Sequence, residues 1–249
     1  MSRWWPERYE LLVHPQAARL SGGGSTASLP VESAASADAP PWHAAVDTAL
    51  ALAAARSGRG SRVDVVVADH FVRYAVLPWS TALIGRARRE EAARALLRAS
   101  CGAEEAALQV ALDAPRFGRN AAIAGVPREM IALLRSGLRD ARLRAASLRP
   151  RALHELARHR ARIADGDGWF CHADTDRFVL GGLASGNLVG LRNQRGETAD
   201  AARLSRELSG LIAVSAPLDG RRLYFFGAAG AAPTLPSLDT VALAHEERR

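Results

Sequence analysis

"GWFCHADTDRFVLGGLASGNLVGL" (residues 168–191) sets three apolar runs between two turn signals. "WFCHAD" (169–174), "RFVLGGL" (177–183) and "NLVGLR" (187–192) have strand length and strand composition. "ADTDR" and the Ser-Gly pair at 185–186 have hairpin-turn chemistry. The stretch therefore predicts three strands joined by tight turns. "YELLVHPQAARL" (9–20) opens the chain in the same style, with a strand, a His-Pro turn and a second strand. A helical segment follows each opening. One is the alanine-rich "HAAVDTALALAAAR" (43–56). The other spans 197–209, with Ala201, Leu204, Leu208 and Leu211 at helical spacing.

Between these openings, "VDVVVADHFVRYAVLPW" (63–79) reads as two short strands hinged at Asp69 and His70, a hairpin of the scaffold. Val63, Val65 and Val67 on one face, with Val66 and Ala68 on the other, leave both faces apolar, the mark of a central, covered strand. Pro78 lacks the N–H a ladder needs and ends the second strand. A helix over 81–100 and strands over 107–113 and 120–126 come next. Pro127 suits the first turn of a helix that buries Ile131, Leu134 and Leu138. A strand then ends at Pro150, a helix covers 151–163, and "ADGDG" (164–168) marks a boundary. "LIAVSAP" (211–217) and "RRLYFFG" (221–227) read as two more strands. The Gly/Ser/Ala/Pro-rich segment 21–41 reads as a flexible insertion, and the tail after Gly230 as frayed. The expectation is an α/β chain of two halves, 1–164 and a shorter 165–249, with mixed sheets flanked by helices.

Composition narrows the function. The 249 residues are 48% hydrophobic, enough for a real core. No apolar run approaches the ~18 residues of a membrane span. The start, "MSRWWPERYE", lacks a signal-peptide core, so the cytoplasm is the expected location. Cys101 and Cys171 are too few for a disulfide framework, and both are expected reduced and buried. The chain contains no lysine; all 33 basic residues are arginine. This excludes Schiff-base chemistry and the P-loop lysine.

One order of elements is specific. A strand ending in Leu77-Pro78 precedes a long helix. "VPREMIALLRSGLRDARLRAASLRP" (126–150) gives a helix, a link and a strand ending in proline. "GWFCHADTDRFVLGGLASGNLVGL" then opens a second half. Over roughly residues 60–215 this order resembles the cytoplasmic actin-like domains of bacterial type IV pilus and type II secretion assembly platforms, the PilM-like and GspL-like proteins. The resemblance implies a duplicated RNase H-like (actin-like ATPase) fold, placement at the cytoplasmic face of the inner membrane, and recruitment of partners. Nucleotide-binding members of that fold resemble one another in two Asp-x-Gly phosphate loops. No aspartate here has a glycine two positions later. The expected fold is therefore a degenerate one, without a nucleotide cofactor.

The candidate residues divide into four groups. Asp69, His70 and Arg73 invite an acid–base reading, but neighbours on a strand or turn point apart. They read as a bend with an exposed histidine, or as a partner-binding edge. His172, Asp174 and Asp176 at a spacing of two could hold a metal, but "ADTDR" reads as a turn. "HELARH" (154–159) places its histidines five apart, not the four of the metalloprotease helix, and "GGLASG" (181–186) precedes a strand where a phosphate loop needs a helix. Residues 128–162 carry ten arginines against Glu129, Asp140 and Glu155, a net +7. Arg135, Arg139, Arg142, Arg144, Arg149, Arg151 and Arg158 are its candidate contacts to anionic lipid or an acidic tail. The absence of interleaved aromatics argues against nucleic acid.

The expected function is a non-catalytic adaptor that presents a groove or sheet edge to the cytoplasmic tail of an inner-membrane assembly protein. It needs neither cofactor nor metal, and it leaves room for a homodimer. The alternatives are an ATP-binding relative with atypical phosphate loops and an arginine-rich nucleic-acid binder.

Overall fold

A computed structural model describes residues 7–32, 39–101, 106–114, 116–163, 167–215, 218, 220–227 and 232–243. β1 (Arg8–Val13), β2 (Ala17–Gly22) and β3 (Ser25–Pro30) form an antiparallel meander. β4 (Arg62–Val67) lies parallel to β1, and β8 (Arg144–Pro150) lies parallel to β4. The sheet order is β3-β2-β1-β4-β8. β9 (Gly168–Ala173), β10 (Arg177–Ala184) and β11 (Asn187–Arg195) form a second antiparallel meander. β12 (Arg222–Gly227) lies parallel to β9, and β13 (Asp239–Ala242) parallel to β12, giving β11-β10-β9-β12-β13. The two sheets share one plan, three antiparallel strands followed by two parallel ones. This is the duplicated RNase H-like arrangement that the resemblance implies.

The turns repeat as well. Gly23 and Gly24 close the β2–β3 hairpin at φ +60° and +78°, while Ser185 and Gly186 close β10–β11 at +48° and +66°. Paired positive φ values match the twist of the flanking strands, which is why glycine serves there. The β1–β2 turn is His14-Pro15-Gln16, and the β9–β10 turn is Asp174-Thr175-Asp176. His14 and Asp174 therefore hold the same place in the two halves.

α1 (His43–Arg56) follows β3, and α5 (Ala201–Ala213) follows β11. Asp200 caps α5 by accepting from Ala202 N and Arg203 N. α3 (Arg128–Asp140) buries Met130, Ile131, Leu134 and Leu138, as its 3.6-residue spacing requires, and packs closely on α1 at Gly137. The first half also holds a three-stranded sheet. β5 (Arg73–Leu77) and β6 (Leu108–Leu112) flank β7 (Ala121–Pro127), and α2 (Arg86–Cys101) packs over them through Ala93 and Leu97. α4 (Arg151–Arg158) leads toward the second half.

Several expectations need correction. β4 and β5 make no hairpin, because they belong to different sheets, with the turn Asp69–Phe71 between them. Segment 21–41 contains β3, paired along its length with β2; residues 33–38 lie outside the described residues. "LIAVSAP" begins as the last turn of α5, not as a strand. The tail contributes β13, an edge strand, and residues 244–249 lie outside the described residues. α4 ends at Arg158 rather than at 163. Cys171 is buried as expected, and burial raises its thiol pKa well above the ordinary value. The side chain of Cys101 lies outside what is described.

Candidate functional site

The two halves meet across a polar seam. Asp69 follows the apolar β4 and is only 1% exposed. A buried carboxylate needs several partners, and Asp69 has them. Its Oδ1 accepts from the Ala152 backbone N–H at 3.1 Å and from the Tyr74 hydroxyl at 2.5 Å. Its Oδ2 accepts from His172 Nδ1, on β9, at 2.7 Å. Burial first, and then the Asp69 charge, push the Tyr74 phenol well above its usual pKa. Asn193, on β11, donates its amide to the backbone oxygens of Asp69 and Val72 at 2.7 and 2.9 Å. One aspartate thus fixes the start of α4, the bend after β4, and the second sheet.

The turn residue Asp174 makes a second node. Arg151 Nη1 donates to its Oδ2 at 2.8 Å, and Thr175 N donates to its Oδ1 at 2.9 Å. His14 Nε2 lies 3.1 Å from the same Oδ1. Burial pushes the Asp174 carboxyl up, but the neighbouring His14 and the Arg151 charge outweigh it and hold the group well below the usual carboxylate range. Thr198 donates its hydroxyl to the Asp174 and Thr175 carbonyls. At the edge of the seam, His70 Nε2 donates to Oδ1 of the exposed Asp176 at 2.5 Å. Further out, Arg119 reaches Ser185 O at 3.0 Å, Arg160 reaches Gly186 O at 3.1 Å, and Asn120 bonds both Asn187 and Leu188.

Beside the seam lies a groove of about 560 Å³. Trp42, Phe71, Leu108 and Pro127 give it an apolar lining, and at its rim His70, Arg73 and Arg128 stand against one acid, Glu129. Trp42 precedes α1, Phe71 lies in the bend, and Leu108 begins the edge strand β6.

The expected site residues therefore separate. Asp69 starts the bend as expected, but it is buried against His172 rather than offered at a partner-binding edge. His70 is not exposed either, since its side chain is 11% exposed between groove and seam. Arg73 lines the groove. Arg135, Arg139, Arg142, Arg144 and Arg149 are exposed on α3, the following link and β8. Arg151 does not belong with them, because it is paired inside the seam. Arg158 is half-buried, and its charge acts on Glu10. His14 was missed as a site residue. Aligning the two opening hairpins would have placed it opposite Asp174.

No family model matches the sequence, and no curated protein matches it. Solved structures do. The cytoplasmic domain of EpsL, an inner-membrane component of the type II secretion system of Vibrio cholerae, superposes with a TM-score of 0.58 at 13% identity, over 96% of this chain and 90% of that one. The PilM-PilN type IV pilus biogenesis complex gives 0.61 at 17%, over 89% and 81%. A Bacteroides thetaiotaomicron protein with an actin-like ATPase fold and unknown function gives 0.56 at 12%, over 88% and 81%. The chain has the actin-like fold. The seam lies where the fold's two halves face one another, and here side chains of both halves occupy it. Among the described residues, no helix is long and apolar enough to cross a membrane.

Proposed function

We propose that the chain is a non-catalytic adaptor of a pilus or secretion assembly platform. Its groove takes an extended cytoplasmic segment of an inner-membrane assembly protein. The observation that carries this reading is the groove itself, which has an apolar lining, a basic rim at Arg73 and Arg128, and the edge strand β6 along one side. An extended peptide can add to such an edge while its side chains enter the apolar lining. The basic rim favours a segment with acidic residues. The likeness to EpsL and to the PilM-PilN complex supports the setting. The buried pairs along the seam and the lack of Asp-x-Gly loops support the absence of nucleotide turnover. The exposed arginines of α3 and β8 would hold the adaptor beside anionic headgroups, peripheral to the inner membrane on its cytoplasmic side.

Fluorescence anisotropy with a labelled cytoplasmic peptide of the cognate inner-membrane protein tests this. The double variant R73E/R128E is expected to weaken binding roughly tenfold, about 1.4 kcal/mol. Peptide affinity untouched by the double variant, or a large Tm rise with Mg-ATP, would exclude the reading.

A further inference from the structure

The geometry points to a divalent-cation site formed by His14, His70 and Asp174, for an ion of the Zn²⁺, Co²⁺ or Ni²⁺ class. It is independent of the groove's occupant. The three ligating atoms lie within 4.8 Å of one another. The His14 and His70 rings meet edge to face, with centroids 5.0 Å apart. The side chains of His14 and Asp174 are 8% and 5% exposed.

Two nitrogens carry the argument. Among the described residues, neither His14 Nε2 nor His70 Nδ1 has a hydrogen-bond partner, and both are buried. Buried unsatisfied polar atoms are few and call for a cause. His14 Nε2 sits 3.1 Å from Asp174 Oδ1, yet the pair is poorly directed for a hydrogen bond. Two ligands of one tetrahedral ion behave this way. Bonds of about 2.0–2.1 Å hold them about 3.3 Å apart, with their lone pairs aimed at a third point rather than at each other.

Orientation supports the assignment. His70 gives its Nε2–H to Asp176, which fixes the tautomer and leaves the Nδ1 lone pair free. A carboxylate behind the imidazole is the usual support of a metal-bound histidine. Arg151 occupies Oδ2 of Asp174, while Oδ1 accepts from Thr175 N and turns its second lone pair toward His14. The backbone N–H of Gln16 contacts His14 Nδ1 at 3.2 Å. Metal binding at Nε2 moves the imidazole proton to Nδ1, so that weak contact is given up. Two imidazoles and one carboxylate suit borderline ions rather than Mg²⁺ or Ca²⁺, and the fourth position falls to water. His172 and Asp176 are not ligands. One is held by Asp69, and the other orients His70. An ion here would join the first half, through His14 and His70, to the second, through Asp174.

The test uses the full chain, stripped with chelator and titrated with Zn²⁺. One ion per chain is expected, with Tm raised by about 5–10 °C at a hundredfold excess over Kd. Mg²⁺ is expected to leave Tm unchanged. H14A and H70A should each abolish the Zn²⁺-dependent rise, and H154A, which removes an imidazole paired with Glu10, should keep it. Should the first two variants fail to fold, imidazole ¹⁵N spectra of the wild-type chain decide. Zn²⁺ should move the His14 and His70 signals and leave those of His43 and His154. An unchanged Tm, binding that survives H14A and H70A, or signals moving only at other histidines would overturn the assignment.

Discussion

The two halves share a sheet plan and differ in how they cover it. In the first, α1 and α3 pack on the strands, and one cluster runs from Leu11 and Val65 to Leu134 and Leu138. The second keeps α5 over one face, against Trp169, Cys171 and Phe225. Its other face presents Phe170, Leu183, Tyr224 and Phe226. Those residues are covered in part by Leu156 and Ile163, which belong to the first half. Every residue of β9 is consequently buried, although the half itself supplies one long helix among the described residues. The plan of a sheet can be duplicated while the means of burying it is borrowed.

Asp69 ties the two halves together most tightly. D69A strips a buried partner from His172, Tyr74 and the start of α4 together, and should destabilise by about 3–5 kcal/mol in urea unfolding. If the halves were independent, only the first would respond. One shifted transition for both is expected.

Two glycines differ in how closely their surroundings approach. A Cβ at Gly181 would lie 2.0 Å from the ring of fully buried Phe170, so G181A should cost about 1–3 kcal/mol. Gly24 has nothing within 4 Å, and G24A meets only its φ of +78°. About 1 kcal/mol is expected there, by the same urea unfolding.

Acid titration probes the node between the halves. The Asp174 pKa is depressed on folding, so its stabilisation is complete above about pH 5 and is lost as pH falls below about 4 toward the folded value. D174N should flatten the fall of stability with pH over that range, measured by urea midpoints. The smallest effect belongs to the outer arginines. R135Q/R139Q should change stability by no more than about 0.5 kcal/mol, while reducing retention on vesicles with anionic headgroups.

Much of the fold was legible because its elements carry their own periodicity. The meander over 168–191, α1, and the unit from Pro127 to Pro150 announce themselves through alternation, helical spacing and proline. α5 was misread at its end, since "LIAV" is apolar without a break and periodicity cannot separate a helix end from a strand. β5 was assigned to the wrong sheet because β4 and β5 are adjacent in sequence, whereas their partners come from elsewhere in the chain. The seam was the least legible part. Asp69 and His172 stand 103 residues apart, and no local pattern reports such a contact. The one available sign was a carboxylate directly after four consecutive apolar residues, Val65 to Ala68, a poor place for a solvated bend.

Ile163 is the last described residue before the second half begins, and its side chain lies beneath that half's aromatic face. Severing the polypeptide there would leave each fragment with greasy or charged surfaces that only its sibling can shelter. Such fragments should prove insoluble when made singly and recover shape on being produced together. For anyone dissecting the molecule, the practical unit is the whole.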